Sequence, residues 1–148
     1  MKVKFKKLHP DAKIPQYAKP GDAGLDLYCV SMKPEIRITN HRKECVYLEF
    51  YTGLAIEVPE GYVGLLFPRS SISNTSMTLS NSVGILDSSF RGEVTFRFRN
   101  INNNLNAYQV GDKIGQLLVI PFPKIEMEET EYLSETERGS GGYGSSGR

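Results

Sequence analysis

Histidine and cysteine are scarce in this sequence, and the scarcity removes whole classes of chemistry. His9 and His41 are the only histidines, and neither has a metal-ligand partner nearby in the chain. A Ser–His–Asp triad or a histidine zinc site has almost nothing to be built from. The two cysteines, Cys29 and Cys45, stand far apart and match neither a zinc spacing nor a disulfide framework. No stretch approaches the ~18 apolar residues of a membrane span. The start, MKVKFKKLHP, is basic but too poor in apolar residues for a signal-peptide h-region. Charge of neither sign dominates, with 18 Lys+Arg against 17 Asp+Glu, so nothing favours a nucleic-acid or membrane partner. The expectation is a reduced, cytoplasmic protein (host cytoplasm, if the chain is viral). Its chemistry must rest on carboxylates, arginines, hydroxyls and backbone amides.

What is present is β-patterning. At 148 residues the chain fits one domain, and this size buries roughly 68–70% of the unfolded surface. No window sustains a 3.6-residue apolar period, and glycine or proline interrupts almost every candidate helix. Short alternating runs take its place at Val3–Lys7, Tyr47–Phe50, Leu54–Val58 and Tyr62–Phe67. The clearest is VTFRFRN, where Val94, Phe96 and Phe98 face one way and Thr95, Arg97 and Arg99 the other. The run Leu117–Ile120, ending at Pro121, reads as a strand buried on both faces. Turn chemistry separates the runs at 19–22, 59–61, 91–92, 100–104 and 111–112. One short helical turn is expected within Phe67–Leu79. Many short strands at turn-limited spacing predict an all-β sandwich or barrel.

The compositional break comes at the end. From Glu137 the chain reads ERGSGGYGSSGR, with five glycines and three serines in its last eleven residues. Composition alone makes this a flexible, solvated terminus. It is not a Walker A loop, since no Lys-Ser/Thr pair and no helix follow. One aromatic and one arginine among glycines also suit a strap over a charged, planar ligand. Arg138 could fork onto phosphate, glycine amides could converge on anionic oxygens, and Tyr143 could stack on a ring. The predicted division is a β domain over 1–136 and a strap over 137–148.

Four further segments depart from ordinary strand or turn. Ala23–Tyr28 (AGLDLY) places Asp26 between Leu25 and Leu27. A carboxylate there is either paired, hydrogen-bonded or near a cation, or it points from a strand face to solvent. Phe67–Ser71 (FPRSS) sets an arginine and two hydroxyls after an apolar strand, a compact phosphate-binding set that is also a common turn. Asn81–Val94 (NSVGILDSSFRGEV) puts Asp87 in a hairpin-like loop. There it could serve as a general base or merely cap its own turn. Asn81 offers both donor and acceptor, as reading a pyrimidine edge requires. In Gly111–Pro121 only Gln116 stands out as a polar residue needing a partner.

In this order the segments resemble the five motifs of the trimeric dUTPase family, over nearly the whole chain. Motif one is Ala23-Gly-Leu-Asp-Leu27, with Ala12-Lys-Ile-Pro15 and Gly21-Asp22 upstream also in the pattern. Motif two is Pro68-Arg-Ser-Ser71, and motif three is Gly84-Ile-Leu-Asp-Ser-Ser-Phe-Arg-Gly92. Motif four is Gly111-Asp-Lys-Ile-Gly-Gln116, and motif five is Arg138-Gly-Ser-Gly-Gly-Tyr-Gly-Ser-Ser-Gly147. Any one could arise by chance; five in order are highly specific.

The resemblance implies a β jelly roll assembled as a homotrimer, with dUTP as substrate and Mg²⁺ as cofactor. Each of three sites would take motifs one, two and four from one chain, motif three from a second and the tail from a third. Asp87 would be the catalytic base orienting water towards the α-phosphorus, giving dUMP and pyrophosphate. Asp26 would hold Mg²⁺ through bound water while the triphosphate supplies direct ligands. Arg69, Ser70, Ser71 and Gln116 would contact the phosphate chain, and Arg138 the γ-phosphate. Asn81 and the hairpin arms, with Gly84 and Leu86, would read uracil and exclude thymine and cytosine. Tyr143 would stack on the base, with Gly144 and Ser145 beside it in the closed tail.

Four positions depart from the family pattern. Phe90 replaces the usual tyrosine that packs on deoxyribose and rejects a ribose 2′-OH; the ring body remains. Ser89 replaces a frequent aspartate, and Tyr143 and Ser146 replace phenylalanine and threonine. None removes the base, the metal-linked acid or the arginines, so an active enzyme is expected. Rival readings are a dCTP deaminase, against which the Asp87 hairpin and full tail argue, and a non-catalytic jelly-roll binding module, against which Asp26, Arg69, Asp87 and Arg138 argue. The stretch Val30–Val46 is less family-like and reads as a solvated strand and loop, or as a partner surface.

Overall fold

A computed structural model describes residues 1–39, 42–100 and 107–142, with backbone alone at 37–39 and 42–45. His41, Tyr143, Gly144, Ser145 and Ser146 lie outside the described residues. The alternating runs become strands of two antiparallel sheets. The first joins β1 (Lys4–Lys7), β3 (Ser31–Thr39), β4 (Arg42–Glu57), β6 (Met77–Leu79) and β8 (Glu93–Asn100), in the order β1-β4-β8-β6 with β3 also on β4. The second is β2 (Leu25–Tyr28), β5 (Tyr62–Phe67), β7 (Gly84–Leu86) and β9 (Lys113–Pro121), in the order β2-β9-β5-β7. A 3₁₀ helix at Ser70–Asn74 is the one helical element described, inside the window where a single turn is expected. No helix of the described residues is long and apolar enough to cross a membrane. The all-β expectation holds.

The core follows the two-residue period. On β8, Val94, Phe96 and Phe98 are buried, and Phe50 and Leu48 on β4 face Phe96 and Phe98 in register. Phe50 meets Phe98 edge-on at 5.6 Å, and Phe96 stacks on Phe98 at 6.0 Å. Leu27, Leu66, Leu86, Ile114 and Leu117 complete the cluster from the second sheet. Each such fully buried side chain stabilises by about 1.5–3 kcal/mol over its exposed state. The opposite face of β4 and β8 carries a polar cluster: Arg97 Nε donates to Glu49 at 2.9 Å and Tyr51 Oη donates to it at 2.9 Å.

β4 absorbs two predicted strands because Gly53 bends it without ending it. Its φ is +67°, and the register with β8 shifts between Tyr51 and Ala55. The Gly53 amide leaves the ladder to donate to Glu93 Oε1 at 2.7 Å, while its carbonyl accepts Leu8 N–H at 2.7 Å. Such a bulge needs glycine, since a Cβ there would stand 2.7 Å from His9 Cβ.

The Leu117–Ile120 run is not buried on both faces. Leu117 is 1% exposed, but Ile120 is 41% exposed. β9 lies between β2 and β5, with one side on the core and the other, at Leu118 and Ile120, outside it. After Pro121 no further strand is described, and Ile125, Met127, Tyr132 and Leu133 stand 73–86% exposed.

Candidate active site

Asp26 does not point to solvent. It is 5% exposed, and each carboxylate oxygen has its own cation: Arg69 Nε lies 2.9 Å from Oδ1 and Lys113 Nζ 2.7 Å from Oδ2. Successive residues Asp26 and Leu27 are both buried, and the register between β2 and β9 shifts immediately after them. Asp26 pairs with Gln116, but the shift sets Tyr28 opposite Lys113, from which the lysine reaches back to the carboxylate. The same Tyr28 ring lies 4.4 Å from Lys13 Nζ and 5.7 Å from Lys113 Nζ. The Asp26 carboxylate holds the Lys113 ammonium pKa above its usual range, with burial pulling the other way. On the far side of β2, Asp26 N–H donates to Gln16 O at 2.9 Å.

Arg69 reaches Asp26 from the extended residue that precedes the 3₁₀ helix. Gln116 finds the partner its polarity demands, donating from Nε2 to Pro68 O at 3.1 Å, and so ties β9 to the Pro68–Ser71 turn. Arg69, Ser71, Tyr28, Tyr108, Asp112 and Lys113 line an open cavity of about 540 Å³. Ser70 is exposed at its edge in sequence, its carbonyl accepting Ser73 Oγ at 2.8 Å. The Tyr108 phenol is pushed above its usual pKa, chiefly by burial. Arg69 and Lys113 bring two cations to this cavity against the carboxylates of Asp26 and Asp112, so what it offers an anionic chain is the guanidinium of Arg69 and the hydroxyl of Ser71, not an excess of positive charge.

The expected hairpin is not a pair of strands among the described residues: the Asp87 loop joins β7, which pairs with β5, to β8 of the other sheet, which pairs with β4 and β6. A second cavity of about 540 Å³ lies at this loop, lined among others by Asn81, Gly84, Leu86, Asp87 and Phe90. Gly64 pairs with Leu86 and Leu66 with Gly84, each glycine giving room to the leucine opposite. Leu86 therefore turns its side chain inward (3% exposed), while Ile85, which also lines the cavity, is 60% exposed. Ser82, just before, is the one described non-glycine residue with positive φ, at 61°. That strain, of order 1 kcal/mol, turns the chain where Asn81 is displayed. Asp87 is exposed, and its carboxylate accepts no hydrogen bond among the described residues, so it does not cap its own turn. Arg91 closes the loop instead, donating to Ser88 O at 2.6 Å and Phe90 O at 2.8 Å.

Within one chain the expected site is thus divided. The two cavities share no lining residue: Asp26, Arg69, Ser71 and Gln116 gather around the first, and Asn81, Gly84, Leu86, Asp87 and Phe90 around the second. Arg138 joins neither; it is exposed and donates to Gly141 O of its own tail at 2.9 Å. Lys113 and Tyr28 were not singled out by sequence reasoning, although a lysine inside a mostly core strand was the available signal. Cys29 is buried with burial pushing its thiol up to about 11, so it offers no reactive thiolate.

The donor set also bears on a metal. Among the described residues no cluster of three or more His, Cys, Asp or Glu could hold one. Mg²⁺ bound mainly by substrate phosphates and water needs only one or two carboxylates; Asp26 is the buried carboxylate beside the first cavity, with its two oxygens paired to Arg69 and Lys113.

Residues 10–147 match the family model described as dUTPase. The chain is 39% identical over 148 residues to the deoxyuridine 5'-triphosphate nucleotidohydrolase of Hydrogenobaculum sp. (strain Y04AAS1), covering 99% of each. It superposes on the dUTPase of Staphylococcus bacteriophage 80alpha with dUpNHpp at a TM-score of 0.77, with 26% identity and 99% of each chain covered. A mutant dUTPase from phage phi11 of S. aureus, which coordinates a structural Mg(II) ion, has TM-score 0.70 and 22% identity, covering 89% of this chain and 98% of that one.

Proposed function

The chain belongs to the dUTPase family and is a hydrolase acting on dUTP, and from that premise we propose that its active site is assembled between the subunits of a jelly-roll homotrimer. The observation that carries this reading is the division of the site. The first cavity, lined by Arg69 and Lys113 with Asp26 paired to both, and the second, lined by Asn81, Asp87 and Phe90, share no residue. Each is half of a site, and a second copy brings one Asp87 loop to another chain's first cavity. The exposed apolar side chains of Ile125, Met127, Tyr132 and Leu133, on a segment without strand partners, support a C-terminal arm that packs on a neighbour.

In this assembly the triphosphate lies along Arg69, Ser70, Ser71 and Gln116, whose cation and donors neutralise its charge. Asn81 and the backbone of Gly84 and Leu86 read the uracil edge, and Phe90 packs on the deoxyribose. Asp87, whose carboxylate makes no hydrogen bond to its own turn, orients and deprotonates the attacking water. The water oxygen bonds the α-phosphorus as the bond to the α–β bridging oxygen breaks, and pyrophosphate leaves with that oxygen. Asp26 would be the residue that holds Mg²⁺, and the ion, when bound, would neutralise charge on the phosphate oxygens. Arg138, Tyr143, Gly144 and Ser145 close over the nucleotide from a third chain. The expected setting is the cytoplasm.

Mixing subunits tests the division. Arg69→Ala and Asp87→Asn each remove activity, and refolding the two together should restore part of it, because some sites then draw intact halves from different chains. A mixture as inactive as its components argues for a site within one chain.

A further inference from the structure

Lys113 has no part in the steps above, yet the fold commits it to the buried carboxylate. The register shift after Leu27 places it opposite Tyr28 instead of leaving it in an unbroken ladder, and its Nζ ends 2.7 Å from Asp26 Oδ2. Asp26 therefore carries one cation on each oxygen. Arg69 uses Nε for its share, and its side chain also lines the first cavity. A triphosphate arriving there competes with Asp26 for Arg69. A buried carboxylate that loses its only cation is strongly destabilised; one that keeps a second cation is not.

We propose that Lys113 is a positioning residue: it holds Asp26 as a paired carboxylate while Arg69 is committed to the phosphate chain. Lys113 then acts through Asp26 and touches no phosphate. Its ammonium is held on the other side by the Tyr28 ring, which it shares with Lys13. This inference rests on the dUTPase reading.

The test is calorimetric affinity for dUpNHpp in Mg²⁺, with dUMP as the control ligand. Lys113→Met should weaken dUpNHpp on the order of tenfold, the scale of one charge-assisted contact, and leave dUMP unchanged. Lys113→Arg, which keeps the cation, should recover most of the loss. In an Asp26→Asn background Lys113→Met should have almost no further effect, since residues acting as a unit are non-additive. Lys113→Gln provides the same comparison if the methionine variant does not fold. Equal losses in both backgrounds would make Lys113 a direct phosphate ligand and overturn the proposal, as would unchanged affinity in Lys113→Met. A wild-type protein that does not bind dUpNHpp would instead remove the dUTPase reading itself.

Discussion

Phe90 lies against the bare backbone of Gly92: a Cβ at Gly92 would stand 2.6 Å from Phe90 Cζ. The ring is 42% exposed and lines the second cavity, and the room it occupies depends on that absent methyl. Gly92→Ala should displace the ring and admit a ribose 2′-OH. Stability should change little, but the kcat/KM ratio of UTP to dUTP should rise about tenfold or more, the scale of an altered pocket contact. Steady-state kinetics on both nucleotides check this, and an unchanged ratio would take Phe90 out of sugar selection.

The Asp87 carboxylate accepts no hydrogen bond among the described residues, though its backbone carbonyl takes Phe90 N–H at 3.1 Å, and the residue is exposed on its loop. Asp87→Asn should leave folding and dUpNHpp affinity intact while lowering kcat by about 10²–10⁴-fold, the usual contribution of a general base. Full activity in this variant would move the base elsewhere.

Gly53 is a purely structural test. At φ +67° with His9 Cβ 2.7 Å from where a Cβ would sit, Gly53→Ala should lower stability by about 1–3 kcal/mol. Urea unfolding should show a shifted midpoint, with kcat at permissive temperature unchanged. An unshifted midpoint would mean that β4 bends for another reason.

Glu49 predicts an acid limb in stability. Burial pulls its pKa up, but hydrogen bonds from Arg97 and Tyr51, the Arg97 charge and Thr95 outweigh it and leave the net value below the ordinary 4.5. A carboxylate lowered in the folded state stabilises above its unfolded pKa, and that contribution fades as pH falls through the folded value. Stability should therefore decline below about pH 4.5, and Glu49→Gln should flatten the decline. Equal acid limbs in both proteins would assign the effect to other groups.

Legibility in the sequence followed the reach of each signal. Tyr62–Phe67 is β5 as predicted, and the alternation of Val94, Phe96 and Phe98 is the buried face of β8, because a two-residue period reports directly on which side is dry. Tyr47–Phe50 and Leu54–Val58 merged into β4, since no alternation pattern shows that Gly53 serves as a bulge within one strand. The less family-like stretch Val30–Val46 read as a solvated strand and loop, or as a partner surface; it holds β3 (Ser31–Thr39) and the start of β4, and Pro34 is tolerated because β3 pairs with β4 alone among the described residues. The candidate site residues were read as types and spacings. That Asp26 is paired twice was not, because Lys113 reaches it through a register shift that no local pattern displays.

The most direct measurement is pyrophosphate release from dUTP, dCTP, dTTP and UTP in parallel, with Mg²⁺ and with EDTA. Rapid, Mg²⁺-dependent release from dUTP alone is the predicted result. Release from none of the four, or equal release from dCTP and dUTP, would contradict a uracil-selective hydrolase.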